Sequence, residues 1–579
     1  IILLAKDAEG YRNLLTLNKE GNEHGTVMFK RVIPRIDWKM LETFNRGLIC
    51  TTACGGGILS QLINTRRLDE ARKQAQRLKD IFGDSLALEI QPHGMRRVAN
   101  LYKDYEDQRF TNYQLIKLGD ELGIKVIVAT DAHYVLPEDH SAHDCMLAIG
   151  SGQPVFSGNR LKYSQDFHIK SREEVIKTLN SILGNFRNRS EEFCDNTLLF
   201  ANMCEQPDWI DPKVHRVTGL SWELPDFPVK DQPDYKEFLE WWRLPRDVGL
   251  LKEDDAYLRY LCENNFDKYF PSQDEATRKI YLERMEKELD ILSFKNLSSY
   301  MLIVADYVNW AKNNGIPVGP GRGSVAGFLT AYLLNIHTAD PIKYGLIAER
   351  FYSKVKQGAS DIDLDFSQKG KPLVEEYIFN KYGKENCAKI TNYMMLTPKP
   401  YAKSISRVFQ YGGDAKAAVA IGNAIAESIP KDIKSVKEAL TDAPLFMEYA
   451  NSAKYNQLAK FAEHIGNKVS ARATHAAGVI ICGKPLHHIV PVRKDKDGIW
   501  SVEYEKERAE ANGLIKMDIL GLSTLDIIDD TFKLIKERGK TPPSPNWNYD
   551  ENDAKAYELI SKGDTYGIFQ FGTSAGTID

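Results

Sequence analysis

The sequence lacks any run of about eighteen uncharged apolar residues, and its first residues, IILLAKDAEG, carry neither a basic lead nor a cleavage site. Membrane and secretory readings therefore fall away, and a cytoplasmic location with no membrane partner is expected. Cysteine is sparse, at 8 residues in 579, and no CxxC pair occurs. That fits reduced thiols and argues against a disulfide framework or a zinc ribbon. A basic excess is also missing: the formal net charge is −4, which counts against a nucleic-acid-binding surface spread over the whole chain. Charge is uneven, however. Residues 396–472 hold 11 Lys and Arg against 7 Asp and Glu, net +4, which leaves the remainder at −8. A local basic face is open there, beside the plainer reading of a solvated helical surface. No internal repeat or low-complexity tract is visible.

What is present is enough apolar material, 43% of residues, to bury several cores, so roughly three or four domains are expected. The chain begins at Ile1 and stops at FGTSAGTID in mid-pattern, which reads as a fragment cut at both ends. Over the first 150 residues, strand-like runs end in polar or reactive side chains: GLICTTACGGG near Cys54, LALEIQPHG at His93, IKVIVATDAHYV at Asp131 and His133. Helical stretches around 57–82 and 112–122 separate them. Successive βα units of this kind suggest part of a (β/α) barrel, and Cys, His and Asp are all metal-ligand types.

A proline-rich passage, LPDFPVKDQPDY (224–235), marks the next boundary. A helical region including TRKIYLERMEKELDIL follows, then SSYMLIVADYVNWAKNNGIPVGPGRGSVAGFLTAYLL, and a further helical region spans about 396–472. Strand-like AAGVIICG (476–483) and GLIKMDIL (513–520) come next, then a helix TLDIIDDTFKLIKERGK stopped by TPPSP (541–545).

Three elements in this half carry chemistry. In GASDIDLDF (358–366), strand alternation places Asp361, Asp363 and Asp365 on one side and Ile362, Leu364 and Phe366 on the other. Like charges so close repel, which is costly in a cleft unless a cation is present. An exposed edge strand is the bland alternative; an EF-hand is disfavoured by the absent twelve-position spacing and terminal glutamate. In VGPGRGSVAGFLTAYLL (318–334), glycines surround Arg322, and Ser324 sits where a helix would begin. Such a turn can cradle an anion with backbone N–H groups and the helix dipole, although a plain helix-capping turn looks the same. No GK[ST] follows at P-loop spacing. In GLIKMDILGL (513–522), Asp518 and Lys516 share one strand face, as an ion pair or as part of a site. Together these are the parts of a two-metal phosphoryl or nucleotidyl transfer site.

The ordered motifs GPGRGS, AERFYS, SDIDLDF, THAAGVII, GLIKMDILGL and YGIFQF resemble the catalytic core of bacterial and phage C-family DNA polymerases, over nearly the whole chain. The resemblance implies a multidomain α/β protein: a partial PHP (β/α) barrel over 1–224, then a DNA polymerase beta-like nucleotidyltransferase palm over 225–395 and 473–522. A helical thumb is inserted over 396–472, and 523–579 begins the fingers. Asp363, Asp365 and Asp518 match the catalytic, metal-binding carboxylates, with two magnesium ions implied, and Asp361 matches a supporting residue. Gly323, Ser324 and Arg350 match residues that bind the triphosphate, and Lys516 a contact to the nucleotide or primer end. Lys399, Lys403 and Arg407 stand at helical spacing where the family's thumb meets the DNA backbone. His475 keeps the family's histidine in VSARATHAAGVII, with the usual arginine displaced to Arg472.

Cys54, Asp131 and His133 match PHP metal ligands, for zinc or manganese in full-length relatives; His93 lies on a comparable strand end. The family's early HxH motif has no counterpart here, so structural support is expected of this domain rather than exonuclease activity. The implied activity is template-directed DNA synthesis, on primer-template DNA with deoxynucleoside triphosphates. A sliding clamp and other replisome subunits are the implied partners of the full-length protein. A nontemplated nucleotidyltransferase and an inactive DNA-binding scaffold are the alternatives. Whether the fragment works without the rest of the fingers stays open at this level.

Overall fold

The apolar runs LICT, LALEI and KVIV are buried along almost their whole length, as strands covered on both faces must be. They belong to the first of two units in the computed structural model, which describes residues 1–28, 31–93, 108–163, 165–204, 223–244, 251–271, 274–355, 360–543 and 552–572. One unit comprises residues 1–211 with 391–473, the other residues 212–390 with 474–579. Among the described residues no helix is long and apolar enough to cross a membrane.

In the first unit the strands are β1 (Ile2–Ala5), β2 (Thr26–Met28), β3 (Arg31–Ile33), β4 (Leu48–Thr51), β5 (Leu86–Ile90) and β6 (Lys125–Val128). The sheet order is β1-β4-β5-β6, and β2 and β3 form a separate ribbon. β4, β5 and β6 run parallel, while β1 is antiparallel to β4. Among the described residues this is a four-stranded mixed sheet, so the expected βα repetition is present in β4 to β6, without a closed barrel. The single helical stretch expected over 57–82 is two helices, Ile58–Asn64 and Leu68–Phe82. The break falls where Arg66 takes a left-handed φ of 62°, which no helix interior tolerates. Helix Leu68–Phe82 buries Ala71, Ala75, Leu78 and Phe82, the 3.6-residue stripe of a helix laid on a sheet.

Between Pro398 and Ile465 the same unit is mainly helical, including Pro398–Val408, Ala415–Glu427 and Val436–Asp442, the last begun by a Ser435/Glu438 capping box. Tyr401, Ile405, Ile425 and Phe446 form their core together with Ala142 and Cys145 of helix His140–Ser151.

The second unit is built on a sheet of β7 (Asp363–Ser367), β8 (Cys387–Met395), β9 (Val469–Ile481), β10 (Val492–Lys494), β11 (Trp500–Val502) and β12 (Lys516–Leu522). The strand order is β10-β11-β8-β9-β12-β7. β9 begins seven residues before the expected AAGVIICG strand. Helices Glu253–Tyr269, Glu275–Phe294 and Ser298–Asn313 supply most of the remaining core. Ser298–Asn313 buries residues on every side, including Tyr300 and Tyr307, which marks it as a central helix. Helix Ser523–Glu537 follows β12 directly and ends ahead of Gly539, whose φ of 69° suits only glycine well. Ser544 and Pro545 of the expected proline-rich stop lie outside the described residues.

Candidate functional site

Alternation along β7 and the residue before it buries Ile362, Leu364 and Phe366 to 1% exposure or less and turns Asp363 and Asp365 to the opposite, half-buried face. Burying each of those three apolar side chains contributes about 2 kcal/mol, which fixes the face the acids take. The strand starts at Asp363, so Asp361 stands just ahead of it rather than within the ladder, a departure from the three-acid strand expected from SDIDLDF.

β12 lies beside β7 in parallel, in the register Asp518 to Asp363 and Leu520 to Asp365. Paired residues on neighbouring strands, about 4.8 Å apart, project their side chains to the same face. The third acid is thereby set against the first pair by the register of the backbone ladder. β9 flanks β12 on its other edge, with Gly478 opposite Asp518.

Basic side chains surround these acids. Lys516 Nζ lies 2.8 Å from Asp518 Oδ2 and 3.9 Å from Asp361 Oδ2, and Lys506 hydrogen-bonds Asp361. Arg322 Nη1 is 3.7 Å from Asp365 Oδ1. Burial raises the carboxyl pKa of Asp518 despite the Lys516 hydrogen bond, and the charges of Asp361 and Asp363 add to the rise. Burial likewise raises Asp365, opposed by Arg322 and reinforced by Asp363. Among the described residues no three His, Cys, Asp or Glu side chains form a ready-made cation cage. The donor set nevertheless fits a hard divalent cation: carboxylate oxygens only, crowded by like charge, with no thiolate among them.

The glycine turn is held against β7. Gly319 N donates to Asp365 O at 2.8 Å, and Ser367 N donates to Pro317 O at 2.9 Å. A Cβ at Gly321 (φ 106°) would meet His337 Cβ at 2.4 Å, so only glycine fits. A Cβ at Gly323 (φ 72°) would stand 3.7 Å from Asp363 Oδ2, which puts this turn beside the acids. Ser324, however, opens no α-helix. It lies in a 3₁₀ turn, Gly323–Gly327, and the α-helix Leu329–Leu333 begins later. The first N–H groups of that helix are already taken, since Leu329 N and Thr330 N donate to Glu288 at 3.0 and 2.8 Å. The helix start expected at Ser324 therefore has no α-helix behind it. Arg350 ends a 3₁₀ turn, Ala348–Arg350, and is exposed. Its segment abuts the glycine turn, because a Cβ at Gly327 would meet Ile347 O at 2.6 Å.

His475 Nδ1 accepts from Gly478 N at 2.8 Å and Ala477 N at 3.2 Å, and burial, aided by Lys516, lowers its pKa. Arg472 is exposed. Helix Pro398–Val408 buries Tyr401, Ala402 and Ile405 and leaves Lys403 and Arg407 exposed, with Lys399 half-buried. The three cations therefore follow one another along the solvent side of an amphipathic helix.

In the first unit, Cys54 and Asp131 are half-buried and His133 is exposed. The His133 ring is held by the Asp131 backbone carbonyl at 2.6 Å. His93 is fully buried and stacks on Phe167 at 4.3 Å, and burial pushes its pKa down to about 4. These residues are not gathered into a three-ligand cluster. Glu89, buried on β5 with Thr51 Oγ1 donating to it at 2.7 Å, was not legible as special.

Three family models match the chain: the bacterial DNA polymerase III alpha NTPase domain over residues 256–521, the PHP domain over 1–93, and the bacterial DNA polymerase III alpha subunit finger domain over 524–577. The DNA polymerase III subunit alpha of Borreliella burgdorferi is 34% identical over 574 residues, covering 99% of this chain and 45% of the relative. The proteins of that name from Helicobacter pylori and Aquifex aeolicus are 32% and 31% identical, each covering 98% of this chain and 46% and 47% of theirs. The chain belongs to the bacterial DNA polymerase III alpha family. It spans a little under half the length of these curated relatives. The DNA polymerase III alpha NTPase match ends at residue 521, so it takes in Asp363, Asp365 and Asp518 together with the glycine turn and Arg350. Arg322, Lys506 and Glu288 lie in the same matched region and were missed as site residues; the signal for Glu288 was an i, i+4 pairing with Arg284 on a predicted helix.

Proposed function

We propose that this chain carries the nucleotidyl-transfer centre of a template-directed DNA polymerase, extending a primer 3′ end with deoxynucleoside triphosphates. The observation that carries the reading is the parallel register of Asp518 with Asp363, which gathers acids from two distant strands on one face beside a glycine turn. In this reading Asp363, Asp365 and Asp518 hold two magnesium ions. When bound, such ions neutralise charge on the departing pyrophosphate and favour ionisation of the primer hydroxyl. The turn at Gly323 and Ser324 offers backbone N–H groups to the triphosphate, and Arg350 offers a planar guanidinium for a bidentate phosphate contact. Lys516, tied to Asp518, contacts the nucleotide or primer end in this reading.

On the same reading, residues 225–395 and 473–522 form a palm of DNA polymerase beta type, 396–472 a thumb, 523–579 the start of the fingers, and 1–224 part of a PHP barrel. Lys399, Lys403 and Arg407 contact the duplex backbone. Cys54, Asp131 and His133 contribute to a zinc or manganese site completed by other residues of the full-length protein. A cytoplasmic location, a sliding clamp and other replisome partners go with this assignment.

Primer extension with magnesium by the full-length protein tests it. Addition that follows the template and is abolished in Asp363→Ala is expected. Addition without regard to template points instead to a nontemplated transferase, and duplex binding with no addition to a scaffold.

A further inference from the structure

Helix Glu275–Phe294 passes behind the turns that carry Gly323, Ser324 and Arg350, and its side chains tie them together. Glu288 is fully buried, yet each of its oxygens is engaged. Oε1 accepts from Arg284 Nε at 2.7 Å and Leu329 N at 3.0 Å; Oε2 accepts from Thr330 N at 2.8 Å and Thr330 Oγ1 at 3.1 Å. Arg284 extends the network in the other direction, donating from Nη2 to Gly327 O at 2.7 Å and Leu346 O at 3.3 Å. Gly327 ends the turn of Gly323 and Ser324, and Leu346 lies just before the turn of Arg350. One guanidinium thus bridges the two segments. Lys287, on the same side of the helix, pairs with Glu349 next to Arg350, and Tyr281 OH donates to Asp340 Oδ2 at 2.7 Å.

A buried carboxylate costs several kcal/mol in lost solvation unless its partners are complete. Here completeness depends on the helix start at Leu329 and on Arg284 staying where they are. The network is therefore stiff, and the tight contact of Gly327 with Ile347 leaves no room for the two turns to slide.

We propose that Arg284 and Glu288 are positioning residues for nucleotide binding: a brace of one buried acid and one half-buried guanidinium, contacting no substrate, that sets Ser324 and Arg350 at the spacing a triphosphate needs. This rests on the reading of those turns as the triphosphate cradle. Lysine at 284 keeps the charge but cannot reach Glu288, Gly327 and Leu346 at once, because it lacks the planar fork. Glutamine at 288 keeps the shape but turns an N–H group toward Leu329 N or Thr330 N.

The test uses full-length protein with Arg284→Lys and Glu288→Gln, beside Ser324→Ala and the parent. Steady-state KM and kcat for the complementary deoxynucleoside triphosphate are measured, with primer-template affinity by fluorescence anisotropy and melting temperature as controls. Arg284→Lys is expected to raise the nucleotide KM about tenfold while kcat and duplex affinity change less than about twofold. Glu288→Gln is expected to act in the same direction; if it does not fold, Arg284→Lys carries the test. A folded Arg284→Lys with unchanged KM overturns the brace, as does an equal loss of duplex affinity, the mark of general damage. If Ser324→Ala raises KM and Arg284→Lys does not, the brace fails while the polymerase reading stands. No extension by the parent protein overturns both.

Discussion

Both units set ligand-type residues near parallel strands, and they do it differently. In the first, Cys54, His93 and Asp131 each lie three residues beyond the last residue of β4, β5 and β6. Their side chains depend on the turns that follow, and Asp131 takes a left-handed φ of 46°, a strain of about 1 kcal/mol. In the second unit, Asp363, Asp365 and Asp518 lie inside paired strands. Ladder hydrogen bonds and a buried opposite face hold them, so their relative placement follows from register. Chemistry that needs sub-ångström placement is better carried by the second arrangement.

The sharpest way to break this contrast is to remove acids inside and outside the ladder. Asp518→Ala or Asp363→Ala should slow single-turnover extension by about 1,000-fold, near 4 kcal/mol of barrier. Asp361→Ala, two residues ahead of the strand, should cost only about tenfold. Equal losses at 361 and 518 would show that the strand ladder is not what matters.

The glycine turn in the second unit leans on His337, whose Nε2 hydrogen-bonds Phe328 O at 3.0 Å. Burial pushes its pKa down from 6.5 to about 4. A lowered folded pKa means the unfolded chain binds the proton first, so this stabilisation is complete above pH 6.5 and is lost as pH falls toward 4. The loss amounts to roughly 3 kcal/mol. His337→Gln should flatten that part of the stability curve in urea melts run between these limits.

Within the first unit, Lys399, Lys403 and Arg407 contrast with the ligand-type residues at the strand ends, because a helix face does order them. Changing all three to Gln should weaken duplex binding about tenfold near physiological salt and reduce the log–log salt slope by up to about 3. An unchanged slope would remove this helix from the interface. The smallest effect is expected at the strand ends: Cys54→Ser and His133→Ala should leave primer extension within about twofold of the parent. A large loss there would mean that the loop-borne residues matter as much as the ladder.

Much of this was readable beforehand. The alternation in SDIDLDF assigns buried and polar faces because strand geometry has a period of two. The stripe of helix Leu68–Phe82 and the amphipathic face of Pro398–Val408 follow the 3.6-residue period in the same way. The ordered motifs pointed to the polymerase family without any coordinates. Less was readable where a contact joins distant segments. Ser324 looked like a helix start because glycine, serine and an apolar run commonly make one, but Glu288 takes the donors of a helix that begins at Leu329. Glu288 stands out from no other acid of its helix until its burial is known, because an i, i+4 partner such as Arg284 is common on exposed helix faces.

The amino-acid order by itself determined which side chains share a strand or helix face, since neighbours along the chain are bound by fixed backbone periods. Only the tertiary structure decided that Asp518 stands opposite Asp363 and that a half-buried arginine joins the turn ending at Gly327 to the segment at Leu346. Register between remote strands and the burial of a charge depend on which surfaces meet, and no local period encodes that.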